Sequence, residues 1–308
     1  MIDILLATYN GSAWLEAQID SLLAQDCQDW RLLVRDDGST DATLAVLWAQ
    51  QARLGDRMRI VADDRKNLGP AGNFARLLEV SSADYIMFCD QDDVWLPGKI
   101  SLTLAKMREV EADCGSKTPV LVHTDLQVVD EVLNLLADSG HRFQQIDPVN
   151  GDTLGRLLVQ NIATGCTLML NRALRERALP IPAAALMHDH WLSLVAAAFG
   201  KIAYLPVPTL LYRQHGGNQV GAQSWSPAYV VRLLFQLPAI RRVMASNRAQ
   251  ATVFLQQYRH ALAESEQVML EAFIHMPERG LLQKRRDIFR YGFFYAGAVR
   301  NMGWLLLC

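Results

Sequence analysis

The chain has 308 residues, of which 51% are hydrophobic and 20% are charged, and its formal net charge is −2. These values describe a globular chain that is long enough for one large α/β domain with an appendage or for two domains, and they exclude a chain that is disordered throughout. The near-neutral charge gives no reason to expect nucleic-acid binding.

The first hundred residues alternate between strand and helix patterns. Helical stripes follow the first three apolar runs, and Ser12 is a candidate N-cap for the first of these helices. This alternation predicts an α/β fold with a mainly parallel sheet and helices on both faces. The apolar runs that predict buried strands are residues 2–7, 31–35, 58–62 and 85–89.

The second half of the chain is more mixed. Strand patterns occur at residues 120–125, 167–170 and 201–205, and a helical pattern covers residues 189–199. From Pro227 onward the pattern is helical and amphipathic. We therefore predict an α/β domain over residues 1–225 and a helical C-terminal region over residues 226–308.

Polar clusters follow three of the predicted strands. They are Thr8-Tyr9-Asn10, Asp36-Asp37 and Asp90-Gln91-Asp92-Asp93. Ligands of such sheets bind outside the carboxyl ends of the strands, so these loops predict one shared site. The alternative for the Asp36-Asp37 turn is a helix cap, although two adjacent carboxylates exceed what a cap requires.

The Asp-x-Asp pattern of Asp90 and Asp92 predicts a divalent metal site. In an extended backbone both carboxylates point to the same side, and hard oxygen ligands suit Mg²⁺ or Mn²⁺ that is also bound to substrate phosphates. Asp-x-Asp alone is a weak signal, because it occurs by chance in acidic loops, but here it follows a buried strand. Thr8, Tyr9 and Asn10 could supply a stacking ring and polar contacts to a nucleoside.

These segments, in this order, resemble the signatures of family 2 glycosyltransferases: LATYNG at residues 6–11, DDGSTD at 36–41 and DQDD at 90–93. MHDHW at 187–191 is similar to the family's catalytic-base motif. QDDVW at 91–95, TGCT at 164–167 and YRQHGGN at 212–218 resemble the bacterial rhamnosyltransferase branch. The resemblance implies the GT-A fold, an inverting mechanism and a divalent metal (Mg²⁺ or Mn²⁺). It assigns the nucleotide-sugar half to about residues 1–100 and the acceptor half to about 101–225.

The resemblance also assigns roles to individual residues. Asp189 is the expected general base, and His190 departs from the apolar or aromatic residue that is more usual at its position. The expected metal ligands are Asp92, Asp90 and His215. The expected donor-binding residues are Thr8, Tyr9, Asn10, Asp36, Asp37, Asn73, Asp90 and Gln91. The expected acceptor contacts are Trp95, Thr164, Gly165, His190 and Trp191.

The expected donor is a nucleoside-diphosphate sugar, dTDP-L-rhamnose if the branch is right, and the expected acceptor is a saccharide or lipid-linked saccharide of bacterial polysaccharide assembly. The alternatives are transfer from another nucleotide sugar such as a UDP-hexose, a sugar nucleotidyltransferase, and a non-catalytic nucleotide-sugar-binding protein. A nucleotidyltransferase would carry a Gly-rich basic loop after the first strand, where this chain has Thr-Tyr-Asn-Gly. No G-x-G-x-x-G follows a strand, which argues against a nicotinamide dehydrogenase.

The location of the protein follows from what the sequence lacks and from its charge distribution. Scattered cysteines, no signal-peptide pattern and no apolar run of about 18 residues predict a cytoplasmic protein without a transmembrane helix. Residues 226–308 hold 11 Lys and Arg against 5 Asp and Glu. We expect this region, with Lys284, Arg285, Arg286 and Arg290 beside aromatic residues, to contact the inner face of the cytoplasmic membrane. The alternatives are packing on the catalytic domain or a homodimer interface.

Overall fold

The predicted alternation of strands and helices builds a single nine-stranded sheet in the computed structural model, which describes residues 1–216 and 237–307. The strand order is β3-β2-β1-β4-β8-β6-β9-β5, with β7 paired to β6. The strands are β1 (Ile2–Thr8), β2 (Trp30–Asp36), β3 (Met58–Ile60), β4 (Tyr85–Asp90), β5 (Val94–Trp95), β6 (Val120–Val129), β7 (Leu135–Ala137), β8 (Leu168–Asn171) and β9 (Lys201–Arg213).

The sheet is parallel where the sequence alternates most regularly. Strands β1 to β4 run in one direction, β6 and β9 share it, and β5, β7 and β8 run the opposite way. The α-helices are α1 (Leu15–Leu23), α2 (Thr43–Leu54), α3 (Gly69–Val80), α4 (Lys99–Cys114), α5 (Gly140–Gln144), α6 (Leu154–Leu157), α7 (Arg172–Ala178), α8 (His188–Phe199), α9 (Leu237–Tyr258), α10 (Glu264–Ile274), α11 (Leu281–Tyr291) and α12 (Ala298–Leu307).

Helices cover both faces of the sheet, as predicted. In β1, Leu5 points into one apolar core, while Ile4 and Leu6 point into the other, as the two-residue repeat of a strand requires. The core around Leu5 includes residues of α3 and α8, and the opposite core includes residues of α1, α2 and α4. Because both faces are buried, the strands read as continuous apolar runs.

Two local predictions differ from the structure. Strand β9 continues to Arg213 instead of ending near residue 205, because a register shift against β6 accommodates its prolines: Thr124 pairs with Leu205 and Asp125 with Pro208. Irregular positions tolerate a residue without a backbone N–H. Ser12 does not cap α1, whose N-cap residue is Trp14; the backbone N–H of Ser12 donates to Asp41 instead.

The C-terminal helices share the apolar core that contains α3 and α8. Phe254, Phe273 and Trp304 are buried in this core together with Trp191 of α8. The expected boundary at residues 225 and 226 lies outside the described residues. Within residues 237–307, the C-terminal region shares the core that contains α3 and α8, so its removal would expose a large apolar face.

This packing corrects part of the membrane expectation. Ile288, Phe293 and Trp304, apolar residues that neighbour the basic cluster of residues 284–290 in the sequence, are buried. Phe289 is 65% exposed and remains available at the surface. Among the described residues, no helix combines the length and apolar character that crossing a bilayer requires.

Candidate active site

The register of the parallel strands brings the predicted polar loops together. Thr8 pairs with Asp36 across β1 and β2, and Ala7 pairs with Asp90 across β1 and β4. The Thr8 hydroxyl donates a hydrogen bond to Asp36 Oδ1 at 2.9 Å. The carboxyl ends of the three strands therefore form one edge, where ligands of such sheets bind.

Gln91 fixes the loop that carries Tyr9. Its Oε1 accepts the Tyr9 backbone N–H at 2.8 Å, and its Nε2 donates to the Tyr9 carbonyl at 3.0 Å. A Cβ at Gly11 would lie 2.2 Å from Gln91 Oε1, so a larger residue there would displace the Gln91 amide from Tyr9. The Tyr9 ring stays 49% exposed and is free to stack on a flat ligand group. The Asn10 Oδ1 accepts the Thr40 N–H at 2.8 Å, so this side chain holds the loop.

The buried Arg35 guanidinium, which the sequence analysis did not single out, organises the neighbouring loops. It donates to Asp37 Oδ1 at 2.9 Å, to Asn73 Oδ1 at 3.0 Å and to Asp63 Oδ1 at 3.0 Å. The hydrogen bond from Arg35 lowers the pKa of Asp63 to about 2. Asp37 and Asn73 therefore line the site with part of their hydrogen-bonding capacity already used. The sequence signal for this role of Arg35 was a basic residue directly before Asp36 and Asp37.

Asp36 and Asp37 also organise backbone amides. Asp36 Oδ2 accepts the Gly38 and Ser39 N–H groups, and Asp37 accepts the N–H groups of Leu68 and Gly69 at the start of α3. Asp36 thus stabilises its own turn and Asp37 binds the start of α3, whereas neither carboxylate caps α2, the helix that follows them.

Asp92 and His215 lie side by side although 123 residues separate them. Asp92 Oδ2 is 2.8 Å from His215 Nε2. The Arg213 side chain donates to the Asp92 carbonyl at 2.8 Å and lies over the Trp14 ring, and His215 stacks on the same ring with centroids 5.4 Å apart. A carboxylate oxygen and an imidazole nitrogen facing one another are a donor pair that could hold a divalent cation.

Asp90 lies between that pair and Asp189. Burial and the nearby charges of Asp92 and Asp189 raise the pKa of Asp90 to about 7. Ligand atoms of Asp90, Asp93 and Cys166 lie within 4.8 Å of one another and form a second candidate metal group. Burial raises the pKa of the Cys166 thiol, and a protonated thiol suits Mg²⁺ or Mn²⁺ poorly. Carboxylate oxygens such as those of Asp90 and Asp92 are the better chemical match to a hard cation.

Asp189 occupies the first turn of α8 and is buried. Its Oδ2 accepts the Gly165 N–H at 2.9 Å, and its Oδ1 accepts the His190 N–H at 2.6 Å. Burial raises the pKa of Asp189 to about 6, against these two hydrogen bonds, which favour the ionised form. A carboxylate that is held in place and is more basic than usual is suited to accept a proton.

The neighbouring His188 is held between two aromatic rings. Its ring lies 4.2 Å from the Phe74 centroid and 4.7 Å from the Phe88 centroid, and burial lowers its pKa to about 3. His188 is therefore neutral near pH 7 and leaves Asp189 as the ionisable member of this pair.

One cavity of about 590 Å³ connects these groups. Its wall includes apolar side chains of α3 and of the loops before α6 and α8. The expected site residues that line it are Thr8, Tyr9, Asp37, Asn73, Asp90, Gln91, Asp92, Thr164, Gly165, Asp189 and His190.

The two expected acceptor tryptophans lie inside the protein. Trp191 donates to the Ala178 carbonyl and packs against Phe254, while Trp95 lies under the Lys99 ammonium, which is 4.7 Å from its ring. Neither lines the cavity. Asn10, Asp36 and His215 do not line the cavity either. Asn10 and Asp36 hold the neighbouring loops, and His215 contacts Asp92, which does line it.

Comparison with known proteins agrees with this arrangement. The family described as Glycosyl transferase family 2 matches residues 3–174. The dTDP-rhamnosyl transferase RfbG of Shigella flexneri is 29% identical over 228 residues, which cover 70% of this chain and 74% of that protein.

Two solved structures share the fold. S. aureus TarS 1-349 in complex with UDP-GlcNAc superposes with a TM-score of 0.57 at 14% identity, covering 94% of this chain and 80% of that one. The mannosyltransferase PcManGT from Pyrobaculum calidifontis, in complex with GDP-Man and Mn²⁺, has a TM-score of 0.53 at 15% identity, covering 99% of this chain and 78% of that one.

The fold is the GT-A fold, and the protein is a glycosyltransferase. The chain belongs to glycosyl transferase family 2. The family that the ordered motifs of the first hundred residues predicted is thereby confirmed.

Replacing Arg35 with Met should destabilise the protein by about 3 kcal/mol or more, because it leaves a buried cluster of acceptors without its cation. Arg53→Met is the matched control, since the Arg53–Asp20 pair is exposed (53% and 58%) and should contribute less than about 1 kcal/mol. Denaturant unfolding measures both variants. Equal midpoints for the two would contradict the organising role of Arg35.

Proposed function

We propose that the protein is an inverting, metal-dependent glycosyltransferase of bacterial polysaccharide synthesis. It transfers L-rhamnose from dTDP-L-rhamnose to an acceptor hydroxyl. The observation that carries the proposal is the single cavity that joins Asp90 and Asp92 to Asp189. Asp90 and Asp92 offer carboxylates for a cation and a diphosphate, and Asp189 offers a base. RfbG, whose name specifies dTDP-rhamnosyl transfer, supports the choice of donor.

The donor half of the cavity suits a nucleoside diphosphate. Tyr9 presents an exposed ring for the base, and Asp37 and Asn73 present polar edges beside it. Asp90 and Asp92, with His215 behind Asp92, are where the diphosphate would meet a divalent cation. When bound, a divalent cation supplies charge neutralisation for the departing diphosphate. Mn²⁺ in the complex of PcManGT supports this choice.

The acceptor half of the cavity supplies a base, Asp189, so the transfer can occur in one displacement without a covalent intermediate. The Gly165 and His190 N–H groups aim the Asp189 carboxylate, which takes the proton of the attacking hydroxyl. The hydroxyl oxygen forms the new bond to the anomeric carbon as the bond to the diphosphate breaks. A single displacement of this kind inverts the anomeric centre.

The proposal predicts that metal binding and sugar transfer both depend on Asp92. A panel of nucleotide sugars that includes dTDP-L-rhamnose and UDP-glucose, with and without Mn²⁺, should reveal one preferred donor whose transfer requires the metal. Asp92→Asn should weaken Mn²⁺ binding at least about tenfold, because it removes an anionic ligand. Calorimetry with Mn²⁺ alone measures this, with the exposed Asp56→Asn as the control.

Two results would contradict this prediction. Wild-type transfer that is unaffected by chelation would remove the metal from the proposal. Binding of every nucleotide sugar without any transfer would favour a nucleotide-sugar-binding protein instead.

Asp189→Asn should lower kcat by about 10²–10⁴-fold while donor affinity stays within about threefold, because an amide does not accept the proton. Part of the loss will be positional, since both carboxylate oxygens accept backbone N–H groups and the amide NH₂ must face one of them. The exposed Asp138→Asn is the control. A loss below about tenfold would exclude Asp189 as the base.

The assignment of Asp189 as the base also predicts where kcat/KM falls at acidic pH. Only the ionised carboxylate accepts a proton, so kcat/KM should fall as the pH drops through about 6, the raised pKa of Asp189. A limb at the ordinary aspartate value near pH 4 would contradict the buried base.

We also propose that the protein acts at the cytoplasmic face of the membrane and contacts it through α11. This helix exposes Leu281 (64%), Leu282 (85%) and Phe289 beside exposed Arg285 and Arg286. Its one acidic residue, Asp287, is buried and paired with Arg279. Each basic residue near anionic lipid contributes about 1 kcal/mol, so this contact should weaken as salt increases.

Full-length protein should co-sediment with phosphatidylglycerol vesicles at low salt. The double variants Arg285→Glu/Arg286→Glu and Leu282→Ser/Phe289→Ser should lose this binding, whereas Trp48→Ser, which removes an exposed aromatic residue of α2, should keep it. These surface variants replace truncation, because the C-terminal helices supply core residues. Wild-type protein that ignores these vesicles would refute the contact.

A further inference from the structure

His190, the departure from the expected family pattern, has a defined partner on the C-terminal helix α9. Its Nε2 lies 2.6 Å from the Leu157 carbonyl oxygen, and its Nδ1 lies 3.3 Å from Gln250 Nε2. A carbonyl oxygen only accepts, so Nε2 carries the hydrogen. In the neutral ring Nδ1 is then an acceptor, and the Gln250 amide donates to it. The hydrogen bonds therefore assign the tautomer of His190.

The other end of the same amide fixes the segment before the catalytic helix. Gln250 is 1% exposed, and its Oε1 accepts the Leu186 N–H at 2.8 Å. The two contacts agree on the orientation of the amide, with the oxygen on Leu186 and the nitrogen on His190. Both partners belong to the wall of the cavity.

A second buried amide on α9 binds the chain segment that carries the acceptor of His190. Asn247 Nδ2 donates to the carbonyls of Leu158 at 3.1 Å and Val159 at 2.9 Å. These residues follow Leu157, the acceptor for His190. Helix α9 thus holds, through two side chains one turn apart, both chain segments that meet at the first turn of α8.

Asp189 lies inside this frame. Its Oδ1 accepts the backbone N–H of His190, so a shift of His190 moves one of the two groups that aim the carboxylate. An apolar residue at position 190 would leave the buried Gln250 amide without its acceptor, and an apolar residue at position 250 would leave His190 Nδ1 and the Leu186 N–H without partners. Positions 190 and 250 therefore depend on one another chemically.

We propose that Gln250 is a positioning residue for catalysis, acting through His190 and Leu186 to hold the Asp189 carboxylate. The C-terminal region thereby forms part of the catalytic apparatus. This inference rests on the proposed role of Asp189 as the base.

The test compares Gln250→Met with Gln256→Met. Both replace a glutamine of α9 with a side chain of similar length, but Gln256 is exposed. Gln250→Met should lower kcat by roughly 10- to 100-fold with donor KM within about twofold, because a small misplacement of a catalytic group reduces turnover rather than binding. Amide hydrogen exchange of the Leu186–His190 segment should accelerate in this variant, and Gln256→Met should match the wild type in both measurements.

A cycle with His190→Phe distinguishes positioning from general loss of stability. If Gln250 acts through His190, its replacement should cost much less in the His190→Phe background than in the wild type. His190→Phe alone should also lower kcat, which provides the test if Gln250→Met does not fold.

Three results would overturn the inference: unchanged exchange at Leu186–His190, a kcat equal to that of Gln256→Met, or fully additive effects of the two substitutions. A wild-type protein that transfers no sugar, but whose Gln250→Met variant shows the accelerated exchange, would refute the proposed function and still support the contact.

Discussion

Mutual repulsion among buried carboxylates is the constraint on which the rest of the site depends. Asp90, Asp92, Asp93 and Asp189 lie near one another, and burial together with the charges of Asp92 and Asp189 raises the pKa of Asp90 to about 7. Burying like charges is costly unless donors or cations oppose them. The surrounding chain supplies such groups: Arg213 binds the Asp92 carbonyl, and Lys99 lies buried nearby, where burial lowers its pKa to about 8. A divalent cation on Asp90 and Asp92 would relieve the repulsion further.

Different parts of the fold supply the carboxylates and the groups that hold them in place. Parallel strands β1, β2 and β4 deliver the donor loops to one edge, and Arg35 ties the Asp37 and Asn73 side chains together behind them. Helix α8 brings Asp189 into the same cavity, supported from behind by Gln250 of α9. The C-terminal helices, which the sequence suggested as a membrane appendage, close the core that carries α8.

The sequence predicted the fold and the identity of the main polar loops, because strand periodicity and local motifs are written in neighbouring residues. It also paired Asp92 with His215, but only through the family resemblance, since nothing local links residues so distant in sequence. What it missed depends on tertiary packing. Trp95 and Trp191 are aromatic residues beside motifs, yet the sheet and helix α9 bury them. Arg35 and Gln250 gain their roles from partners that lie 28 to 64 residues away. The extension of β9 to Arg213 depends on the register shift against β6, which local strand periodicity does not reveal.

The central claim is that one base, Asp189, faces a nucleotide sugar held at Asp90 and Asp92 across a single cavity. The most direct measurement is the anomeric configuration of the product, determined by NMR before any spontaneous rearrangement. The account predicts a configuration opposite to that of the donor, because one displacement assisted by one base inverts the centre. A product that retains the donor configuration would contradict it, since retention requires either a second displacement or a front-face reaction for which Asp189 is not the base.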